Sequence, residues 1–204
     1  MNRDLIYILA SASPRRKELL NQIGIFPLIL PADIDENTAI TDPYELVASL
    51  SRKKGRHVAE LIRQDNSYKN RAALVIAADT VVAKKEVILG KPSDEADAFS
   101  MLEMLSGSEH EVLTGVSLSL ISSGMILRER HFVETTKVCV CDLTKEEIRE
   151  YIATKEPMDK AGAYAIQGIF GKYISKIDGN YANVVGLPIC SLYREMKGIL
   201  HELQ

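Results

Sequence analysis

Ala72-Ala73-Leu74-Val75-Ile76-Ala77-Ala78-Asp79-Thr80 is the stretch on which the fold turns. Seven apolar or small residues run on without a polar interruption and stop at a carboxylate. A strand with one wet face alternates, whereas a strand covered by helices on both faces reads as a continuous apolar run. The stretch predicts a buried central strand of an α/β sheet that ends at Asp79. Ligands of such sheets gather beyond the carboxyl ends of strands, and an Asp placed there can bind a metal or take a proton from water. An Asp that simply caps the turn after a strand is the plain alternative.

The chain on either side supplies helices and further strands. Residues 5–9 predict a short apolar strand, and Ser13-Pro14 then opens a helix, with Ser13 as N-cap and Pro14 at the first helical position. Leu19, Leu20 and Ile23 give that helix an apolar face, and Gly24 ends it. Residues 26–30 are a second apolar run, and residues 33–37 an acidic loop. Asp42-Pro43 opens a longer helix. Val47, Leu50, Lys54, Val58 and Leu61 fall on one stripe of it, with Lys54 inside the stripe and Lys53 off it. Residues 64–71 are polar and loop-like.

Downstream, Val81-Val82 and Val87-Ile88-Leu89 flank Lys84-Lys85-Glu86 as a hairpin, and Gly90-Lys91-Pro92 is a turn. A helix over 94–105 turns Ala98, Phe99, Leu102 and Leu105 inward. Residues 112–121 and 125–140 read as long antiparallel strands joined at Ser122-Ser123-Gly124. Thr144-Lys145-Glu146-Glu147 has the capping-box pattern and opens a helix to about residue 154. Residues 157–171, rich in Gly and Ala, predict a tight functional loop. Residues 173–177 form a strand, and Pro188 starts a closing helix. With no repeat or linker, 1–204 reads as a single mixed α/β domain, with two lobes around a cleft.

Composition narrows the class. The chain has 204 residues, 46% of them hydrophobic, enough for a substantial core. A net charge of −3 argues against coating nucleic acid. The apolar run after Met1-Asn2-Arg3-Asp4 ends by Ala12, too short to span a membrane, and Pro14-Arg15-Arg16 interrupts a signal-peptide pattern. The expectation is a cytoplasmic protein. Cys139, Cys141 and Cys190 show neither a disulfide framework nor a zinc pattern; Cys139 and Cys141 share a strand face, and all three read as buried or idle thiols.

Five features ask for chemistry. A helix N-terminus favours anions, yet Arg15, Arg16 and Lys17 occupy the first turn after Ser13-Pro14. A bound phosphate removes that conflict, meeting free N–H groups and guanidinium forks; a solvated basic turn is the alternative. Asp79-Thr80 is the second. The third is the acidic loop with Asp33, Asp35 and Glu36, which suits a hard divalent cation or is a solvated turn. The fourth is the pair Lys54 and Lys91, which either reach a triphosphate or snorkel to water. The fifth is Asp159-Lys160-Ala161-Gly162-Ala163-Tyr164-Ala165-Ile166-Gln167-Gly168: small residues admit a ligand closely, and the Gln167 amide can read a base edge, unless the loop is structural only. His57, His110, His131 and His201 have no metal-ligand spacing. P-loop, Rossmann and nucleophile-elbow signatures are missing, so triphosphate chemistry here needs another scaffold.

Leu9-Ala10-Ser11-Ala12-Ser13-Pro14-Arg15-Arg16-Lys17-Glu18-Leu19-Leu20 closely resembles the opening motif of the Maf family. The resemblance continues at Ala78-Asp79-Thr80-Val81-Val82, Leu89-Gly90-Lys91-Pro92, Thr114-Gly115-Val116, the 159–168 stretch and Asn183-Val184-Val185-Gly186-Leu187-Pro188. The motifs stand in family order from about residue 5 to 200. The resemblance implies a nucleoside triphosphate pyrophosphatase with an elongated mixed sheet, flanking helices and two lobes around a central cleft, like the inosine-triphosphate pyrophosphatases. It implies magnesium, manganese or cobalt as cofactor and a homodimer. Arg15, Asp79-Thr80 and Gln167 resemble the dTTP/UTP branch; the 7-methyl-GTP branch has an aromatic, Asp-Gln and Glu there.

Carried over residue by residue, the resemblance makes Asp79 the proton acceptor, with Lys54 and Lys91 beside it. Arg15, Thr80 and Gln167 match positions tied to substrate choice. Ser13, Arg15, Arg16, Lys54 and Lys91 match phosphate-contacting positions, and Glu36 with Asp79 matches the metal-holding carboxylates. Ala165 stands where Gly is usual, and Gly55 where Ala is usual. The implied reaction is hydrolysis of dTTP, UTP or a modified pyrimidine nucleotide such as pseudo-UTP to the monophosphate and pyrophosphate. A nucleotide-sensing regulator of septum formation is the alternative from another class.

Overall fold

The computed structural model describes residues 5–69 and 71–201; the opening residues 1–4 and position 70 of the polar loop lie outside them. Seven strands form one sheet: β1 (Leu5–Leu9), β2 (Leu28–Ile29), β3 (Ala72–Lys84), β4 (Val87–Leu89), β5 (Glu109–Ser122), β6 (Met125–Val140) and β7 (Ile174–Asp178). Their order is β2-β1-β3-β5-β6-β7, with β4 on β3. The β2-β1-β3 part is parallel and the remainder antiparallel, so the sheet is mixed, as expected.

The central strand does not end at Asp79. It runs on to Lys84, and Val81, Val82 and Ala83 are as buried as the residues before the carboxylate. A polar pair ends a strand only when it must reach water. Here Asp79 pairs with a lysine and Thr80 joins hydrogen bonds, so the ladder with β5 continues unbroken from Ala73 to Ala83. The opposite edge of β3 is different. β1 accompanies it only to Ile76, with one more bond from Ala10 N–H to Ile76 O (2.8 Å), and β4 takes over that edge at Val82. Between them, residues 77–81 have no strand neighbour on that side among the described residues. This window lets side chains from both faces of the sheet open onto one space.

Helices cover both faces. α1 (Pro14–Gln22), α5 (Tyr181–Val185) and α6 (Ile189–Leu200) share a core with Leu74, Ile76 and Ala78 of β3. Further along the same face, α3 (Glu95–Leu105) and α4 (Lys145–Ala153) pack with Val82, Val112 and the aromatic residues of the 157–173 segment into a second core. Ile166 touches both cores. α2 (Pro43–Gln64) covers the other face, over Ala73, Val75, Ala77 and Val81. Each large aliphatic side chain buried in these cores stabilises the fold by about 1.5–3 kcal/mol.

The α2 stripe is rotated from its sequence reading. Leu61 is exposed, while Ser51, Gly55 and Ile62 are buried. The helix presses its backbone onto β5, and small residues make that possible. A Cβ on Gly115 would sit 2.2 Å from Val47 O, and one on Gly55 would sit 2.7 Å from Ser117 Oγ. Hydrophobicity alone could not reveal a face centred on Ser and Gly. Lys54 consequently stands at the rim of the buried face.

Caps follow the expected chemistry. Asp42 and Asp94 accept N–H bonds at the starts of α2 and α3, and Thr144–Glu147 closes the capping box of α4. Two details differ. Only Leu28 and Ile29 of the second apolar run join the sheet, and both are exposed, as is Phe26. Cys141 lies past the end of β6, beyond an irregularity at Cys139/Val140, so it does not share a strand face with Cys139. Cys141 and Cys190 are exposed thiols rather than buried ones. No helix of the described residues is long and apolar enough to cross a membrane.

Candidate active site

The window in β3 opens onto a cavity of about 800 Å³. Ser13, Arg15, Arg16, Glu36, Lys54, Asp79, Thr80, Lys91 and Gln167 all line it. These nine residues, drawn from all five features of the sequence, are therefore in one place.

Asp79 points from β3 toward α2 and is buried, with 8% of its surface exposed. Lys54 reaches it from α2, Nζ to Oδ1 at 2.6 Å. The same ammonium meets Glu36 Oε1 at 2.9 Å. Lys53, one residue earlier, is exposed and bonds the backbone oxygen of Asp35, so the two lysines divide as their helical phase requires. Asp33 and Asp35 stay outside the cavity; of the acidic loop, Glu36 alone lines it. Two carboxylates on one cation are a donor set that a hard divalent ion sharing phosphate oxygens can use. Among the described residues there is no group of three or more His, Cys, Asp or Glu gathered for a metal.

Thr80 points to the other face, where the two cores part. Its hydroxyl hydrogen-bonds Thr114 Oγ1 at 3.0 Å, and Thr114 bonds Asn183 O at 3.2 Å. Arg16 closes this network. Nη1 donates to Ser11 Oγ (3.0 Å) and Ala78 O (2.8 Å), Nη2 to Thr80 Oγ1 (3.0 Å), and Nε to Gly186 O (2.9 Å). Ala78 O belongs to the window, where no strand is available to satisfy it. The fork thus stands in for a missing ladder and ties α1, β3 and the end of α5 together. Burial pulls the Arg16 pKa down, and the nearby Asp79 carboxylate opposes that shift.

Arg15 is placed differently. It is half-buried and makes no hydrogen bond or ion pair among the described residues. Lys17 is exposed and away from the cavity, so two of the three first-turn cations face it. Ser13 holds the N-cap position, but its side chain makes no capping bond. Its hydroxyl is left available on the cavity wall.

The 159–168 stretch consists of tight turns, with 3-10 segments at Glu156–Asp159, Ala161–Ala163 and Ile169–Tyr173. Gly162 N–H bonds Gly90 O at 3.0 Å, which ties this stretch to the Lys91 turn. Lys160 hydrogen-bonds Asp159 and holds its carboxyl below the ordinary range, with a smaller push from Arg15. Gln167 is exposed to the cavity and makes no hydrogen bond among the described residues. Beneath it, Tyr164 is buried against His110, OH to Nε2 at 2.8 Å.

A family model described as Maf-like protein matches residues 7–199. The chain belongs to the Maf family. It is 46% identical over 190 residues to a dTTP/UTP pyrophosphatase of Lachnoclostridium phytofermentans, covering 93% of each chain. It is 49% identical to a dTTP/UTP pyrophosphatase of Carboxydothermus hydrogenoformans, covering 93% of this chain and 96% of that one. A third, from Geobacillus sp., is 50% identical with the same two coverages. A solved structure of a nucleoside-triphosphatase, or dITP/XTP pyrophosphatase, from Mycobacterium abscessus matches with 97% of each chain covered, at 11% identity and a TM-score of 0.40.

Some Maf-family motif residues gain a place that their sequence did not announce. Ser11, Thr114 and Gly186 form the Arg16 network. Asn183 is fully buried and donates to Val112 O (2.9 Å) and Thr136 Oγ1 (3.0 Å), fixing α5 under the cavity. The short helix α5 leaves no mark in the sequence pattern, although Asn180 as N-cap and Gly186 as C-cap flank it. Five residues are too few for a helical period to show.

Proposed function

We propose that this Maf protein hydrolyses dTTP and UTP to the monophosphate and pyrophosphate. The observation that carries this is the cavity at the β3 window, where Asp79, Lys54 and Glu36 face one space with Arg15, Lys91 and Gln167. Three relatives at 46–50% identity bear the name dTTP/UTP pyrophosphatase and support the choice of substrate.

In this reading the triphosphate lies along Ser13, Arg15, Lys54 and Lys91, with the anchored Arg16 holding the floor. Asp79 takes a proton from a water whose oxygen bonds to the α-phosphorus. The bond from the α-phosphorus to the bridging oxygen breaks, and pyrophosphate leaves with both electrons of that bond. The neighbouring cations stabilise the charge on the leaving group. Glu36 and Asp79 would hold a divalent ion of the magnesium, manganese or cobalt kind, which supplies Lewis-acid stabilisation when bound. Lys54, held by the same two carboxylates, would add its charge beside the phosphates. The Gln167 amide, with no partner of its own, reads the edge of the uracil or thymine ring, and Arg15 and Thr80 shape the same choice. That edge is shared by modified pyrimidine nucleotides. Net charge −3 fits a protein that does not bind nucleic acid, and the family resemblance supports a cytoplasmic homodimer.

The test is pyrophosphate release from dTTP, UTP, CTP, GTP and 7-methyl-GTP, with and without magnesium or manganese. Metal-dependent release largely confined to dTTP and UTP is expected. Release from another nucleotide keeps the chemistry and removes the roles given to Arg15, Thr80 and Gln167. No release by folded protein overturns the enzymatic reading and leaves a nucleotide-sensing regulator.

A further inference from the structure

Gln167 has a free amide on a backbone that is held on both sides. Two residues before it, Ala165 N–H donates to the hydroxyl of Tyr151 at 3.3 Å. Two residues after it, Ile169 N–H donates to Glu156 Oε2 at 3.1 Å. The two anchors are one unit, because the Tyr151 hydroxyl donates to Glu156 Oε1 at 2.9 Å. Neither residue lines the cavity. We propose that Tyr151 and Glu156 are positioning residues for base selection, a clamp that fixes the Ile166-Gln167-Gly168 segment so that the Gln167 amide meets the base in one orientation. The inference rests on the reading that Gln167 contacts the base.

Three further observations fit a clamp rather than a chance contact. A Cβ on Gly168 would lie 2.4–2.6 Å from the Glu156 carboxylate, so glycine there is what allows the carboxylate to approach the chain. Tyr151 is buried, and Phe170, fully buried, packs against both Tyr151 and Tyr164 with ring centroids 5.0 Å apart. The anchor therefore stands on a packed aromatic base. Burial, with the hydrogen bond and charge of Glu156 adding to it, pushes the Tyr151 hydroxyl pKa up, so it remains a donor to the carboxylate.

A side chain held by backbone anchors discriminates between bases because a mispaired edge cannot be relieved by loop movement. The experiment compares wild type, Glu156→Ala, Glu156→Gln and Tyr151→Phe on UTP, dTTP and CTP. In Glu156→Ala the ratio of kcat/KM for UTP over CTP is expected to fall about tenfold, the loss of charged hydrogen bonds to the loop. The fall appears in KM for UTP, with kcat changed far less. Glu156→Gln keeps an acceptor for Ile169 N–H and a partner for the tyrosine, and restores most of the ratio. Hydrogen exchange of residues 165–169 speeds up in Glu156→Ala while that of α6 does not. An unchanged ratio in Glu156→Ala and Tyr151→Phe, or a Glu156→Gln variant as poor as the alanine one, overturns the clamp. Tyr151→Phe keeps the ring packed and decides the matter if Glu156→Ala does not fold. If wild type releases no pyrophosphate from any nucleotide, the proposed function fails, and exchange decides the clamp alone: unchanged protection at 165–169 overturns it.

Discussion

The wall of the cavity made by α1, α2 and β3 and the wall made by residues 159–168 are built on opposite plans. On the first, two cationic side chains from helices are locked in place: Lys54 to the carboxylates of Asp79 and Glu36, Arg16 to the hydroxyls of Ser11 and Thr80 and the backbone oxygens of Ala78 and Gly186. On the second, the backbone is locked and the functional side chain is free, with Gln167 standing between two anchored amides. A wall of mutually paired charges is suited to hold charge in a fixed place as it develops. A wall of fixed backbone with an open amide is suited to choose among bases. Rate should follow the paired charges of the first wall, and choice the Gln167 amide together with Arg15 and Thr80.

The largest expected effect is on the first wall. Asp79→Asn removes the proton acceptor and should lower turnover about 100- to 10,000-fold while nucleotide binding remains, checked by steady-state kinetics and equilibrium binding. Wild-type turnover would contradict the role. Next is Arg16→Lys. An ammonium cannot reproduce a fork with four hydrogen bonds to three segments, so activity should fall roughly 10- to 100-fold and stability by about 2 kcal/mol. The melting temperature separates this from loss of a mere phosphate contact, which would leave stability unchanged.

On the second wall, Gln167→Glu should change the relative kcat/KM values across a nucleotide panel by about tenfold and leave the rate on the best substrate nearer to wild type. Identical ratios would break the division between the walls. The smallest effect on turnover belongs to His110, under the second wall. Burial, with the charge of Lys84 adding to it, pushes its pKa down to about 4. It is neutral in the fold and takes up a proton more readily when unfolded. Stability is thus intact above the ordinary value of 6.5 and declines as pH falls from there toward 4, by up to about 3 kcal/mol. Replacing His110 with Gln should flatten that part of a melting-temperature profile against pH, with activity at neutral pH little changed.

How legible each wall was in the sequence follows from the same difference. Asp79, Lys54, Arg15 and Arg16 stand on elements with a clear period or cap, so each could be placed on its element from the residues, while their sharing of one site was implied by the family resemblance. The extent of β3 could not be read, because a carboxylate reads as a strand end unless its lysine partner is known to sit on the helix over that face. The α2 face was shifted because close packing on β5 uses Ser51 over Gly115 and Gly55 over Ser117, which carry no hydrophobic signal. The two faces of β3 meet in one cavity only because β1 stops and β4 starts later on the same edge, a property of pairing rather than of any residue. The Tyr151–Glu156 clamp lies on α4 and a 3-10 turn just ahead of the 159–168 motif, and gave no sequence signal beyond a polar residue before Pro157.

Where water attacks tests the role of Asp79 most directly. Hydrolysis of UTP in oxygen-18 water, followed by mass spectrometry of both products, locates it. The expected result is label in the uridine monophosphate and none in the pyrophosphate, as attack at the α-phosphorus beside Asp79 requires. Label in the pyrophosphate, or release of inorganic phosphate in its place, would contradict it.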